Sequence, residues 1–178
     1  EYRYGNPDYG HPRDLPQNQA AAWGATQPPS PALPAITKDE YETLGDGFLK
    51  KDNFALAYLH YEKALEMNPG DNRLEYKIGK TYLAAGKLDD ARRQFEKAAS
   101  KDAENALVWE GLGKVCFLER DYVSAENHFI KALTLRGSLW ESFNCLGYIY
   151  DTRGDHAQAV EYYLAALAVK PDNGIVYN

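Results

Sequence analysis

From residue 38 onward, apolar side chains recur in the same order every 34 residues, four times over. Within each unit the fourth, seventh and eleventh positions are apolar, a spacing that lines them along one face of a 3.6-residue helical period. They are Tyr41, Leu44 and Phe48, then Glu75, Ile78 and Tyr82, then Trp109, Leu112 and Cys116, then Phe143, Leu146 and Tyr150. Glu75 alone breaks the pattern, and it is expected nearer the surface. A polar break follows at Asp52-Asn53, Gly86, Arg120-Asp121 or Gly154, and a second apolar series then presents Tyr61, Phe95, Phe129 or Tyr163 to the core. The connectors Asn68-Pro69-Gly70-Asp71 and Lys170-Pro171-Asp172-Asn173 stop one unit and cap the next. The pattern predicts two helices in each of the units 38–71, 72–105, 106–139 and 140–173, with Tyr177 opening a fifth at 174–178. A fixed period of this length, with this pattern, marks a helix-turn-helix solenoid.

The eighth position of every unit is glycine, at 45, 79, 113 and 147. Glycine inside a helix costs up to about 1 kcal/mol relative to alanine, so its recurrence requires a packing reason. The missing side chain lets the paired helix approach, with Ala57, Ala91, Ala125 and Ala159 expected to meet it and the bulky rings filling the space opposite.

Residue by residue, this unit resembles the tetratricopeptide repeat, which has an aromatic at position four, Leu-Gly at seven and eight, Tyr at eleven, Ala at twenty, an aromatic at twenty-four, Ala at twenty-seven and Pro at thirty-two. The resemblance covers about residues 38–173, with local departures at Glu75, Cys116, Ala103 and Gly137. It implies an all-α fold, a right-handed superhelical solenoid of antiparallel helix pairs. It also implies a concave groove displaying positions two, five, nine, twelve and thirteen of each unit. Carried onto this chain, those positions give an acidic first unit, with Asp39, Glu42 and Asp46, and a more cationic and aromatic middle. Glu110, Lys114 and Glu141 fall on the same surface. Tyr76, Lys80, Lys114, Phe117, Asn144 and Tyr148 are the candidate partner-binding residues, because aromatic anchors beside polar donors suit an extended peptide. Family members that bind chaperones carry a Lys, Asn and Arg clamp for a terminal carboxylate. Glu42 and Asp46 stand where it would begin, so that role is not expected.

Residues 1–36 hold seven of the nine prolines, a density that removes backbone donors and favours extended conformations. This segment is expected to be a mostly irregular tail. A short helix at 15–23, capped by Asp14 and ended by Gly24, is expected to be held by lying on a repeat surface, because nine residues do not sustain a helix alone in water.

The formal charge of −6 argues against general nucleic-acid binding, which needs clustered Lys and Arg. No apolar run approaches the roughly 20 residues that span a bilayer. Two cysteines are too few for a disulfide framework; Cys116 is expected in the core and Cys145 partly exposed. His11, His60, His128 and His156 are scattered without ligand spacing, and His60 and His128 are expected to be exposed helix residues. Gly79-Lys80-Thr81 is similar to the end of a phosphate-binding loop, but Leu74 stands where its first glycine belongs and the segment falls mid-helix. No catalytic residue, metal or cofactor is expected, and the function expected is a non-catalytic scaffold for a peptide or partner protein. The alternative is a self-assembling module whose tail or open C-terminal end docks on another copy. Its Pro-rich start followed by repeats is similar to bacterial outer-membrane-tethered lipoproteins that assist pilus or secretion assembly. The repeats do not distinguish a cytoplasmic from a periplasmic setting.

Overall fold

The computed structural model describes residues 35–171, and among them are eight α-helices and no strand. Contacts divide the chain into two units between Ala35 and Ile36, and all eight helices belong to the second. The expected helix at 15–23, the docking of the tail and the start of a fifth unit lie outside the described residues. In chain order the helices are α1 (Lys38–Leu49), α2 (Phe54–Met67), α3 (Asn72–Ala84), α4 (Leu88–Lys101), α5 (Ala106–Leu118), α6 (Tyr122–Leu135), α7 (Trp140–Thr152) and α8 (His156–Val169).

Side-chain caps set most of the helix starts. Thr37 and Glu40 form a reciprocal capping box on α1, and Asn53, Asp71, Asn105, Asp121 and Asp155 each accept from a first-turn backbone N–H. The turn inside each unit passes through a left-handed residue at the same register, at Asp52 (φ 54°), Gly86 (72°), Arg120 (65°) and Gly154 (84°). An L side chain in that region costs roughly 1–2 kcal/mol, most of which glycine avoids. Arg120→Gly is therefore expected to raise stability by about 1 kcal/mol in urea unfolding. Unchanged or lower stability would show that the turn carries no such strain.

Each first helix packs on its own second helix, each second helix on the following first helix, and α3, α5 and α7 form a row. The core is a series of small clusters strung along this stack rather than one interior. The helix glycines are met by rings and not by the alanines. A Cβ on Gly79 would stand 2.6 Å from Phe95 Cε1, and one on Gly113 would stand 2.7 Å from Phe129 Cδ1. Ala91 and Ala125 are fully buried, but it is the ring one turn farther along the second helix that occupies the glycine's space. Phe95 is held from the other side too, because a Cβ on Gly111 of α5 would stand 2.6 Å from its Cζ.

Glu75 corrects the expectation of a surface residue. It is 1% exposed, and its Oε1 meets Lys101 Nζ at 2.5 Å and Lys97 Nζ at 3.2 Å, both from α4. Two lysine stems reaching from the neighbouring helix pair the carboxylate where other units place an aromatic ring.

The histidines are a second correction. His60 stacks on Phe48 at 5.1 Å and His128 on Trp109 at 5.7 Å, and both are half-buried. Burial, and then Arg92 and Lys131, hold the His128 pKa below its ordinary 6.5. The unfolded chain then binds this proton more readily than the folded one, so the associated stability is fully present above the ordinary value and is lost as pH falls from there through the lower folded value. His128→Gln is expected to flatten the fall in stability between about pH 7.5 and 5.5; equal slopes in both chains would contradict it.

Cys116 is fully buried, as expected, and Cys145 is partly so. Burial raises both thiol pKa values, that of Cys145 to about 12. Trp109 secures one connector that lacks the usual proline, its indole N–H donating to the Ala103 carbonyl at 2.8 Å.

Candidate partner-binding groove

The six candidate residues all stand on the row of first helices. Tyr76 and Lys80 are on α3, Lys114 and Phe117 on α5, and Asn144 and Tyr148 on α7. Since α3 meets α5 and α5 meets α7, residues far apart in sequence become neighbours across the row. Tyr76, Lys80 and Lys114 line one concavity of about 200 Å³ together with Leu83 and Glu141. Lys114, Phe117 and Asn144 line the next, about 350 Å³, with Leu83, Trp140, Glu141 and Cys145. Lys114 belongs to both, so five of the six share one continuous surface. Tyr148, 44% exposed, joins it through its ring, which meets Phe117 edge-on at 5.3 Å.

The polar groups of the groove are largely paired with one another. Lys114 Nζ binds Glu141 and lies 3.5 Å from Glu110 Oε2. Burial works against its charge, but Glu110 and Glu141 outweigh burial and hold its pKa above the ordinary lysine value. Glu110 is not displayed at all; it is buried, and Ser142 Oγ donates to its Oε1 at 2.9 Å. Tyr76 is half-buried with its ring 6.0 Å from that of Phe95, and burial raises its pKa. Asn144 Oδ1 is enclosed without a partner among the described residues. Lys80 is exposed and makes no ion pair among them.

The acidic start of the groove is corrected in the same way. Arg73 donates to both oxygens of Glu42 at 2.6 and 2.7 Å, and Lys77 lies 2.7 Å from Glu42 Oε1 and from Asp46 Oδ1. Asp46 also accepts from the Tyr61 hydroxyl at 2.6 Å, and its carboxyl lies below the ordinary range because the bonds from Lys77 and Tyr61 overcome its burial. The charge gradient read along the first helices is therefore flattened by cations of the neighbouring unit. Leu83 and Glu141, both at groove positions of the repeat, line both concavities, whereas sequence reasoning missed Trp140. Family positions mark only which residues of a single helix face outward, while lining depends on which helices adjoin.

Gly79-Lys80-Thr81 lies inside α3, where Thr81 is buried and donates its hydroxyl to the Lys77 carbonyl at 2.8 Å. Among the described residues, no helix is long and apolar enough to cross a membrane.

Two family models, both described as tetratricopeptide repeat, match residues 76–138 and 140–173, together more than half of the chain. The chain is 26% identical over 132 residues to the type IV pilus assembly protein PilF of Pseudomonas aeruginosa, covering 73% of this chain and 52% of that protein. It is 26% identical over 131 residues to the human cell division cycle protein 16 homolog, covering 68% and 21%. To Hsp70-Hsp90 organizing protein 3 of Arabidopsis thaliana it is 27% identical over 100 residues, covering 56% and 18%. This chain thus spans between 18% and 52% of the length of these relatives. Among solved structures, that of P. aeruginosa PilF superposes with a TM-score of 0.69 at 26% identity, covering 78% of this chain and 64% of that one. The MamA protein superposes at 0.62 and 28%, covering 79% and 76%.

Proposed function

Because this chain belongs to the tetratricopeptide repeat family, we propose that it acts as a non-catalytic interaction scaffold that takes a peptide or a segment of a partner protein along α3, α5 and α7. One observation supports this most: Lys114 lines two adjoining concavities that between them contain Tyr76, Lys80, Phe117 and Asn144. Rings would bury the apolar side chains of an extended ligand, and Lys80 would meet its carboxylates or carbonyls. The pairing of Lys114 with Glu110 and Glu141 favours recognition by shape and backbone hydrogen bonds over recognition by net charge. The relatives named for pilus assembly and for chaperone organisation are in keeping with a scaffold role.

Affinity capture from a lysate of the source organism tests the proposal, with the full chain and with Tyr76, Phe117 and Tyr148 all changed to Ala. The expected result is a partner held by the first and lost by the second, with thermal unfolding confirming that the variant still folds. Retention of the same partners by a folded triple variant would place recognition elsewhere on the solenoid.

A second reading, self-assembly in an envelope machine, is favoured by the likeness to PilF and by the outer face of α8, where Val160 and Leu164 are 54% and 60% exposed. In light scattering, an oligomer that dissociates when both become Lys would support it. A monomer at every concentration would remove it.

A further inference from the structure

Away from the groove, the three junctions between successive units differ at one spot. Where α4 meets α5, Arg92 pairs with Glu119 across the crevice and also approaches Cys116 Sγ at 3.7 Å. Where α6 meets α7, Glu126 accepts from Arg153 and from the Tyr150 hydroxyl, each at 2.6 Å. In both places a charged pair spans the end of the crevice. At the α2–α3 junction the corresponding residues, 34 positions earlier in the repeat, are Tyr58 and Ala85. The Tyr58 ring lies 5.3 Å from that of Tyr82, and alanine sends nothing across. A cavity of about 460 Å³ opens there, lined by Phe54, Ala55, Tyr58, Thr81, Tyr82, Ala85 and Lys87, within the roughly 300–1,000 Å³ typical of ligand clefts. The backbone is not the cause, since Ala85 (φ −77°, ψ 0°), Glu119 (−77°, −4°) and Arg153 (−85°, −5°) share one conformation.

The slot itself is lined by one charged residue, Lys87, and by no carboxylate. With a net charge of −6 overall, Lys50, Lys80 and Lys87 nevertheless surround Phe54 without an ion pair among the described residues. Lys50 and Lys80 line a neighbouring cavity of about 330 Å³ that shares Phe54. Of the nearby carboxylates, Asp46 is engaged by Lys77 and Tyr61, Glu62 faces Tyr58, and Asp52 is exposed on the neighbouring cavity's rim.

We propose that this slot is a docking site distinct from the α3–α5–α7 concavities, which it adjoins at Lys80, for an acidic peptide segment that inserts one aromatic or aliphatic side chain beside Tyr58 and Tyr82. Its carboxylates meet Lys87 and Lys50, while Lys80 stands where the slot adjoins the groove. The apolar walls supply the anchor pocket and the lysine rim supplies complementarity and steering.

Panning a random-peptide display library on the full chain tests this. The recovered peptides are expected to carry an aromatic or branched aliphatic residue beside Asp or Glu. In fluorescence anisotropy they should weaken as salt is raised, and they should bind Ala85→Arg and Lys87→Glu at least about tenfold more weakly, the scale of losing an anchor contact. They should still bind Tyr148→Ala. An arginine, Arg153, is accommodated at the same C-cap register just past α7, so Ala85→Arg should keep the wild-type melting curve; should it not, Lys87→Glu, at an exposed position, carries the test alone. Recovery of no peptide, or of basic or purely polar peptides, overturns the proposal. So does binding that ignores both slot substitutions or that is lost only in Tyr148→Ala. Self-association abolished by Ala85→Arg would assign the slot to a second copy and overturn it equally.

Discussion

Phe95→Ala is expected to lower unfolding free energy by about 3–5 kcal/mol, the range for truncating a fully buried aromatic, and to lower the melting temperature by on the order of 10 °C. Phe95 is 1% exposed and its ring fills two glycine notches, Gly79 of its own unit and Gly111 of the next. Removing it opens a void that helix backbones cannot collapse into without breaking their own hydrogen bonds. The loss also falls on a junction, and in a linear array junctions couple one unit to the next. Unfolding of Phe95→Ala should therefore become less cooperative, with denaturant curves from probes in the first and third units no longer coinciding. Tyr163→Ala, at the same register in the last described helix but only half-buried, should cost clearly less. Equal losses at the two positions would mean that the double glycine notch is not what makes Phe95 costly to remove.

Changing Lys97 and Lys101 together to Met is expected to destabilise the chain by roughly 3 kcal/mol, the lower end of the range for stranding a buried charge. The lower end applies because both lysines are partly solvated, with side chains 54% and 37% exposed. Glu75 would keep its carboxylate at 1% exposure with neither cation in place, and its Oε2 already has no partner among the described residues. Glu75→Leu in the native background should be neutral or stabilising, because an apolar residue of similar volume removes the desolvation penalty along with the pair. The triple change of Glu75, Lys97 and Lys101 should then recover most of what the double lysine change lost. A lysine double variant as stable as wild type, or a Glu75→Leu variant as damaged as the lysine one, would show that the pair does not hold this junction.

The groove and the slot make opposite demands on charge, and this gives them distinguishable signatures. In the groove, Glu110 and Glu141 balance Lys114 and leave Lys80 as the one candidate lysine without an ion pair among the described residues, so affinity there should depend less on salt. At the slot, the lysines around Phe54 make no direct ion pair among the described residues, so affinity should fall as salt screens them.

The helices, their turns and the face each turns inward were legible in the sequence, because each is encoded locally. The capping residues, the left-handed turn positions and the apolar spacing act over one or two helical turns. Repetition every 34 residues then fixed the register, and with it the solenoid. What the tertiary structure alone decided lies between helices. That Glu75 is buried depends on two lysines 22 and 26 positions later reaching back over it. That Glu42 and Asp46 present little free charge depends on Arg73 and Lys77, and that Gly79 faces a ring rather than an alanine depends on how deeply α4 settles against α3. The open slot at Ala85 is visible only beside the two junctions that are spanned. The physical reason is common to all of these: periodicity determines which way a side chain points. What it meets is set by its length and by the approach of a neighbouring helix, and neither is written in the pattern of a single unit.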